Sequence, residues 1–350
     1  MGLLEKTVGR IAEPDERIME EVQKHLAQIT PQGREIGHLA KIVRQYSGII
    51  GDARPQIPKS CMVVACADHG VAIHSISAYP IETTQQMTAN YLMSKGASAN
   101  AFANYCGSDM VVVDVGVAGN LSYVPGLLHQ KIAYGTQDFT RGPAMTRHQA
   151  VRAIETGIGI VNDKAAQGYR CFSLGEMGIG NTTASALIVA VFTGLSPEEV
   201  TGRGTGISDD KLKVKTDLVR RALECNRPRR EDGLDVLAKV GGFEIGALAG
   251  VVLGAAANRC AVVVDGLNTT AAAMIADAVG PLSRKYMFAS HLSGEPAHIN
   301  ALGYLNLEPC IDMGIRLGEA IGASVVVEML KLSVKMLNCP NGAEGGQANA

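Results

Sequence analysis

Short apolar runs that end in glycine or in polar residues recur along the chain. Six such runs cover residues 61–67, 109–115, 171–174, 236–240, 260–264 and 286–289. They lack the strict polar alternation of a half-exposed strand, which is typical of strands buried on both faces. Polar residues follow each run at once, as in Asp68-His69-Gly70 after the first. The pattern predicts six buried strands with polar loops at their carboxyl ends.

Segments in which apolar residues recur with helical spacing separate these runs. They include residues 84–95, 147–167, 209–225 and 269–279. Alternating strands and helices predict an α/β fold built on a doubly wound (Rossmann-like) parallel sheet of about six strands. In such sheets ligands bind outside the carboxyl ends of the strands, so the polar loops predict one shared crevice.

The two ends of the chain depart from this alternation. Residues 8–46 are charged and amphipathic, with Pro14 opening one helix and residues 30–33 separating it from a second at 35–46. Residues 313–318 and 321–336 also have helical patterns. We expect residues 50–305 to form a large α/β catalytic domain, and 1–49 plus 306–337 to form a small helical subdomain. The Gly, Asn and Gln content of residues 338–350 predicts a flexible tail.

Composition narrows the class of ligand. Hydrophobic residues make up 47% of the 350-residue chain, charged residues 19% and aromatic residues 4%, and 40 residues are Gly. The formal net charge is -2 at pH 7 and the sequence pI is about 6.5. Neither a basic surface for tracking phosphates nor aromatic stacking platforms are supported, so we expect no binding to nucleic acid. Small-molecule chemistry is favoured.

The spacing of the cysteines and the hydropathy of the chain allow predictions about metal binding, membrane association and cellular location. The eight Cys include no C-x-x-C pair, and the eight His show no H-x-x-x-H spacing, so we expect reduced thiols, no metal and no cofactor. The longest uncharged apolar run, residues 245–257, is too short to span a bilayer. Residues 1–9 carry charges at Glu5 and Lys6 and do not have the apolar run of a signal peptide. We therefore expect a cytoplasmic protein that does not bind membranes.

Residues 175–183 read Gly-Glu-Met-Gly-Ile-Gly-Asn-Thr-Thr and join a predicted strand to a predicted helix. Glycines allow a ligand to approach the backbone, and Asn181, Thr182 or Thr183 could cap a helix whose free N–H groups favour an anion. A bare G-x-G at such a junction is equally compatible with a tight turn. Glu176 favours a site, because a carboxylate inside a phosphate loop requires something cationic or protic to face.

Other strand-end segments allow two interpretations each. Asp68-His69-Gly70 is an acid/base pair or a turn, and residues 201–206, Thr-Gly-Arg-Gly-Thr-Gly, are a phosphate nest or a plain loop. Any one of Lys211, Lys213 and Lys215 could reach an anion, since all three begin a predicted helix. His291 and Glu295 could be catalytic, and a capping role for Ser293 and Glu295 fits the sequence equally well. Glu319, predicted on an otherwise apolar helix, is either a functional acid or an exposed residue of the first turn.

Several common nucleotide motifs are absent from the sequence. It contains no G-K-[ST] P-loop, and residues 178–183 lack the third glycine of a dinucleotide fingerprint. The strand-borne acidic pair and Thr-Gly loop of diphosphate-using phosphoribosyltransferases are missing as well. A magnesium diphosphate site is therefore not predicted.

Taken together, these segments resemble the nicotinate-nucleotide:dimethylbenzimidazole phosphoribosyltransferase family. The resemblance covers nearly the whole chain and follows the family order. Its motifs are residues 67–71, 77–80, 175–183, 241–244, 264–266, 290–291 and 316–319. It implies transfer of 5-phosphoribose from nicotinate mononucleotide to a lower-ligand base, with release of nicotinate, for assembly of the cobamide (vitamin B12) nucleotide loop.

The resemblance also implies roles for individual residues. Glu319 matches the general base that accepts the N–H proton of the incoming benzimidazole, and Glu176 and Lys215 match accessory catalytic positions. The matched phosphate and ribose site consists of Gly178, Ile179, Gly180, Asn181, Thr182 and Thr183. Gly204, Asp265 and His291 are further expected substrate contacts, and Ser77, Gln86, Met177 and Leu317 fall where the family forms its base pocket.

Departures from the family pattern concentrate around that base pocket. Ala320-Ile321 follows Glu319, Ser75 replaces a usual glycine, and Leu267-Asn268 replaces a Phe-Ile-like pair. The acceptor is therefore dimethylbenzimidazole or a related base, or a phenol such as p-cresol, as in relatives that pair two unlike chains. We expect a homodimer or a heterodimer with a homologous chain. The alternative is a non-catalytic partner subunit; a dehydrogenase of the same fold class is a distant third.

Overall fold

A six-stranded, all-parallel sheet forms the centre of the protein in the computed structural model, which describes residues 2–30 and 35–339. The strands are β1 (Lys59–Ala67), β2 (Asp109–Gly116), β3 (Leu128–His129), β4 (Tyr169–Met177), β5 (Ala261–Val264) and β6 (Met287–Ala289). Their order across the sheet is β3-β2-β1-β4-β5-β6. The order reverses between β1 and β4, where a doubly wound sheet opens its binding crevice. The predicted fold class is thus confirmed.

Helices surround the sheet on both sides. Fourteen are described: α1 (Leu3–Val8), α2 (Glu16–Ile29), α3 (His38–Ile50), α4 (Thr83–Leu92), α5 (Ser98–Tyr105), α6 (Arg147–Ala166), α7 (Asn181–Thr193), α8 (Pro197–Val200), α9 (Asp209–Asn226), α10 (Gly233–Val240), α11 (Phe243–Ala257), α12 (Leu267–Val279), α13 (His298–Leu305) and α14 (Ile321–Leu337). Residues Gly70–His74 and Pro281–Tyr286 form 3-10 helices. No helix within the described ranges combines the length and apolar character that crossing a membrane requires.

The central strand β1 shows why the apolar runs form strands. Val64 lies opposite Val112 of β2 and Gly175 of β4 in parallel register, and residues 60–67 of β1 are buried. Burial on both faces removes the need for polar alternation. The register shifts between Cys66 and Ala67, at the point where β1 reaches the polar residues at its carboxyl end.

One of the six predicted strands is wrong. Residues 236–240 belong to helix α10, whose N-cap Asp232 accepts a hydrogen bond from the Asp235 N–H (3.1 Å). An ion pair between Asp235 and Lys239, four residues apart, lies on its outer side (3.0 Å). The short apolar run is the inward face of a helix, which periodicity alone cannot distinguish from a strand. The sixth strand is β3, whose two residues are too few to give a sequence pattern.

The carboxyl-terminal region contains a second correction. Residues 313–318, predicted as a helix, form an irregular segment, with Gly314 at φ +63°, and α14 begins only at Ile321. The helix α14 packs against α3 and also against α5, β4 and β5. The division into a large domain and a small helical subdomain stays a prediction. Residues 31–33 of the predicted helix break and 340–350 of the predicted tail lie outside the described residues.

Helices α6 and α11 pack with very close backbones on one side of the sheet. A Cβ added at Gly157 of α6 would overlap the Ala247 carbonyl oxygen of α11, and one at Gly250 would overlap the Ile154 carbonyl oxygen. Glycine at these two positions therefore sets the distance between the helices. Helix α11 contacts β1, β2 and β4, so this spacing fixes how its first turn, with Glu244, meets the carboxyl edge of the sheet.

Gly157→Ala is expected to lower the free energy of unfolding by about 2 kcal/mol or more, because overpacking a rigid interior is costly. Gly159→Ala is a matched control on the same helix, since no atom lies within 4 Å of its Cβ position. This control is expected to raise stability by about 0.5–1 kcal/mol, because alanine restricts the unfolded chain. Denaturant unfolding of both variants measures the difference; equal stabilities would contradict the close-packing account.

Candidate active site

Polar side chains from four neighbouring strands meet at the carboxyl edge of the sheet. Asp68 and His69 follow β1, Glu176 lies near the end of β4, Asp265 follows β5, and His291 follows β6. All except Glu176 are buried, and Glu176 is half-buried. The polar strand ends predicted from the sequence to share one edge of the sheet therefore do so. Glu319 and Lys215 lie outside the sheet, before α14 and on α9.

The glycine loop between β4 and α7 is shorter than the sequence pattern indicates. Gly175, Glu176 and Met177 are the last residues of β4, so only Gly178, Ile179 and Gly180 form the connection. The N-cap of α7 is Gly180 at φ +100°, with no side-chain cap, so capping by Asn181, Thr182 or Thr183 is wrong. A Cβ at Gly178 would overlap the Ala67 carbonyl oxygen. The loop thus lies directly against the end of β1.

Two amides hold the Glu176 carboxylate. Asn181 donates to Oε2, and Asn268 of α12 donates to Oε1 (3.1 Å). Burial raises the pKa of Glu176 to about 7, and the nearby Glu244 and Glu319 carboxylates act in the same direction, although the two amide hydrogen bonds oppose them. Glu176 has no Lys or Arg ion-pair partner among the described residues.

Glu319 lies in a turn before α14, not on a helix as predicted. It is 8% exposed, and its φ is +67°. Burial raises the pKa of Glu319, and the neighbouring Tyr91 of α4 and the Ala99 backbone of α5 partly oppose this rise. A Cβ at the neighbouring Gly318 would lie 2.6 Å from Glu176 Oε1, so the two carboxylates border the same part of the crevice. The alternative of an exposed Glu319 is excluded.

Of the three lysines in the first half of α9, Lys215 reaches the first turn of α7, directly after the glycine loop. Its Nζ donates to Thr182 Oγ1 (2.8 Å) and to the Gly202 carbonyl (3.1 Å), and the residue is 1% exposed. Lys211 instead donates to the Ser77 carbonyl (3.1 Å), and Lys213 lies at the surface beside Asp210. Burial lowers the pKa of Lys215 to about 8, opposed by the Glu295 carboxylate.

The loop of residues 201–206 contacts Lys215, and hydrogen bonds to Glu295 and to residues 77–78 also hold it in place. The Gly204 N–H, at φ +52°, donates to Glu295 Oε1 (2.8 Å). Thr205 Oγ1 accepts from the Ala78 N–H (2.8 Å) and lies 3.1 Å from Ser77 Oγ. The structure therefore joins residues 77–78, 201–206 and Glu295 around one glycine-rich turn.

The remaining residues of the predicted base pocket differ in exposure. Ser77 and Met177 are half-buried, Gln86 on α4 is exposed, and Leu317 is 52% exposed just before Glu319. Leu317 and Met177 thus lie near the two carboxylates in the chain, and Ser77 lies beside the 201–206 loop. No described contact links Gln86 to these residues.

Asp265 and His291 form hydrogen bonds with other residues of the protein. Asp265 Oδ1 accepts from the Ala323 N–H of α14 (2.9 Å) and lies 3.8 Å from His291 Nδ1. His291 Nδ1 is 2.9 Å from Ser290 Oγ. Burial raises the pKa of Asp265 to about 7 and lowers that of His291. Their predicted contacts with a substrate stay predictions.

A buried ion pair beneath the glycine loop was not identified as a pair from the sequence. His69 Nε2 lies 2.6 Å from Glu244 Oε1, and neither side chain is exposed. Burial lowers the pKa of His69, but the carboxylate of Glu244 outweighs it and the net shift is upward. A Cβ at Gly180 would lie 3.2 Å from His69 Cβ. The motif Gly241-Gly242-Phe243-Glu244 draws attention to Glu244, but the sequence does not indicate that its partner is His69.

Other cavities and clusters lie away from this edge. A cavity of about 690 Å³ between α2 and α3 is lined by residues such as Met19, Leu26 and Arg44, none of them at the carboxyl edge. Within the described residues, no group of three or more His, Cys, Asp or Glu side chains is placed to hold a metal ion. The carboxyl edge, with its buried acids and Lys215, is the site best suited to chemistry.

Comparison with known proteins gives a consistent family. A family model described as Phosphoribosyltransferase (DBI_PRT) matches residues 11–345. The nicotinate-nucleotide–dimethylbenzimidazole phosphoribosyltransferase of Desulforamulus reducens is 43% identical over 97% of this chain and 96% of its own length. The enzyme of that name from Geobacter sp. strain M21 is 44% identical over 97% of each chain.

Solved structures agree with the sequence relatives. The crystal structure of CobT from Thermus thermophilus superposes with a TM-score of 0.90 and 37% identity, covering 95% of this chain and all of that one. A second structure from the same organism, of a nicotinate-nucleotide–dimethylbenzimidazole phosphoribosyltransferase, gives a TM-score of 0.89 at 36% identity and covers 96% of this chain.

The environment of Glu176 predicts an unusual titration. Its side-chain carboxyl is expected to titrate with a midpoint near 7, and ¹³C NMR of labelled protein, assigned with Glu176→Gln, measures this. Because the folded-state pKa lies above the ordinary value of 4.5, the stabilising contribution of this group is full below that value and is lost as pH rises through 7. A midpoint at the ordinary Glu value would contradict the desolvated environment.

Proposed function

Since the chain belongs to the family of nicotinate-nucleotide–dimethylbenzimidazole phosphoribosyltransferases, we propose that it transfers 5-phosphoribose from nicotinate mononucleotide to a lower-ligand base and releases nicotinate. The product is the α-riboside 5′-phosphate used in cobamide assembly. The observation that carries the proposal is the juxtaposition of two carboxyl groups, the half-buried Glu176 and the buried Glu319, with a glycine loop and a buried lysine at one sheet edge.

The reaction balances with the groups at this edge. The bond between C1′ and the pyridinium nitrogen breaks, and its electron pair neutralises the ring of the departing nicotinate. A ring nitrogen of the base attacks C1′ from the opposite face, and the N–H proton on its other nitrogen passes to Glu319. Burial raises the pKa of Glu319, which makes its carboxylate a stronger base than an exposed Glu.

The phosphate of the ribotide is assigned to the glycine loop and Lys215. Gly178, Ile179 and Gly180 lead into the N-terminus of α7, and Thr182 and Gly204 flank the Lys215 ammonium. Two of the three ammonium N–H groups are used within the protein, which leaves one for a ligand. A phosphate placed there would meet both charge and hydrogen-bond donors.

Glu176 is suited to the cationic part of the donor. Its pKa near 7 reflects burial without an internal cation. A pyridinium ring bound beside it would favour the ionised carboxylate and lower that pKa. The bound donor thus provides a cationic partner for Glu176, which has no Lys or Arg partner among the described residues.

Glu319→Gln is expected to lower kcat by about 10²–10⁴-fold, because the amide cannot accept the proton of the base. KM for nicotinate mononucleotide should change little. Steady-state rates with dimethylbenzimidazole measure both. Glu308→Gln is the matched control, since Glu308 is an exposed residue paired with Lys41. An unchanged rate for Glu319→Gln in the assembled enzyme would favour the alternative of a non-catalytic partner subunit.

Lys215→Met is expected to raise KM for nicotinate mononucleotide by about 10–100-fold, through loss of a charged phosphate contact. Lys213→Met on the same helix, where Lys213 is 78% exposed, is the control.

Because the pKa of Lys215 is about 8, affinity for the donor in the wild-type enzyme should fall as pH rises through this value, while the Lys215→Met variant shows no such fall. Identical pH profiles for the two would contradict the assignment.

For the acceptor we propose dimethylbenzimidazole or a related benzimidazole, as in the names of the relatives, with recognition by Ser77, Gln86, Met177 and Leu317. The two nitrogens of a benzimidazole use Glu319 as described, whereas a phenol offers one oxygen for both attack and proton loss. Purified protein assayed with dimethylbenzimidazole and with p-cresol is expected to turn over the benzimidazole. Turnover of p-cresol alone would reverse the assignment.

We also propose that the enzyme works as a dimer, with itself or with a homologous chain. Met313 and Leu317 are 66% and 52% exposed in the irregular segment that leads to Glu319. Apolar side chains beside a catalytic group are suited to cover by a second chain. Sedimentation of the purified protein distinguishes a homodimer from a chain that requires an unlike partner.

A further inference from the structure

The backbone that carries Glu319 is in an unfavourable conformation. Glu319 and Ala320 have φ values of +67° and +61°, two consecutive non-glycine residues in the left-handed region. Such residues are destabilising and persist only where the surrounding structure holds them. Helix α14 starts directly after them, with Ala320 as an N-cap that provides no side-chain hydrogen bond. Both the strained turn and the free helix N-terminus therefore need support from elsewhere.

Asp265 provides that support from the end of β5. Its Oδ1 accepts the Ala323 N–H, in the first turn of α14 (2.9 Å), across 58 residues of chain. Asp265 is itself fixed, because its own N–H donates to Thr269 Oγ1 (2.8 Å) and its side chain is 2% exposed. A side-chain oxygen at this place satisfies an N–H group that lacks an intrahelical partner.

The strands on either side enclose the same turn. A Cβ at Gly175 of β4 would lie 3.2 Å from Ala320 Cβ, and a Cβ at Gly322 would overlap His291 Nδ1 after β6. On the Glu176 side, a Cβ at Gly318 would lie 2.6 Å from the carboxylate oxygen. Small residues at these positions let the turn approach the strand ends, while the Asp265 contact sets its orientation.

We propose that Asp265 is a positioning residue for Glu319: it replaces the missing N-cap of α14 and holds the strained turn that directs the Glu319 carboxylate into the crevice. The inference rests on the proposed function, in which Glu319 takes the proton of the acceptor. This positioning role differs from a direct contact with the substrate. It requires only that Asp265 Oδ1 accept the Ala323 N–H, and it does not require the negative charge of the side chain. An asparagine offers the same oxygen without the charge.

The test compares Asp265→Asn with Asp265→Ala. Asp265→Ala is expected to lower kcat by about 100-fold, the scale of a small misplacement of a catalytic group, while the Kd for nicotinate mononucleotide, measured by calorimetry, stays within about twofold. Asp265→Asn is expected to remain within about tenfold of the wild-type kcat, because its amide oxygen still accepts the Ala323 N–H.

A second substitution tests the strain directly. Ala320→Gly in the Asp265→Ala background is expected to restore kcat by about fivefold or more, because glycine adopts the left-handed conformation without strain. Absence of rescue would contradict a role in holding this turn. Should Asp265→Ala fail to fold, Asp265→Asn decides alone: a loss of kcat greater than about tenfold with intact donor binding overturns the inference.

Three results would overturn the proposal. They are an Asp265→Ala enzyme with wild-type kcat, an Asp265→Asn enzyme as impaired as Asp265→Ala, and a rise in Kd for nicotinate mononucleotide that accounts for the lost activity. Glu319→Gln, assayed in parallel, separates this inference from the proposed function. If Glu319→Gln is inactive while Asp265→Ala is fully active, only the positioning role fails; an active Glu319→Gln removes the proposed base itself.

Discussion

Burial of carboxyl groups without partner cations is the constraint on which this site depends. Glu176, Asp265 and Glu319 meet at the carboxyl edge of a parallel sheet, and burial raises the pKa of each. Among the described residues none of them pairs with Lys or Arg; amide and backbone N–H groups hold Glu176 and Asp265 instead. Such an arrangement lowers stability unless a cation arrives. The pyridinium ribotide proposed as donor brings that charge, so the same feature that is costly in the free protein favours binding and proton transfer.

Close backbone packing makes this concentration of acids possible. Glycines at 175, 178, 318 and 322 bring β4, the loop to α7, and the turn before α14 within contact distance of the strand ends. Below the sheet edge, Gly157 and Gly250 bring α6 and α11 together, which places Glu244 against His69 under the glycine loop. Packing and chemistry are therefore linked: a larger side chain at these positions would displace the carboxyl groups and the loop together.

Much of the fold could be predicted from local patterns, because runs buried on both faces, such as residues 61–67, differ clearly from amphipathic helices. The prediction failed where the pattern was short: residues 236–240 form the inward face of α10, and the two residues of β3 give no pattern. It also failed for residues 313–318, where Gly314 has a positive φ that is incompatible with a continuous right-handed helix. Long-range partners, such as Tyr91 beside Glu319 and Asp265 at Ala323, lie beyond what the order of residues along a single chain can show. The choice among Lys211, Lys213 and Lys215 likewise required the fold.

A crystal structure of the enzyme with nicotinate mononucleotide and a non-reactive benzimidazole analogue tests the central claim most directly. The account predicts the phosphate at the Gly178–Gly180 loop within hydrogen-bond distance of Lys215, the pyridinium ring beside Glu176, and the analogue N–H donating to the Glu319 carboxylate. A phosphate bound away from Lys215, or an analogue whose N–H faces a group other than Glu319, would contradict it.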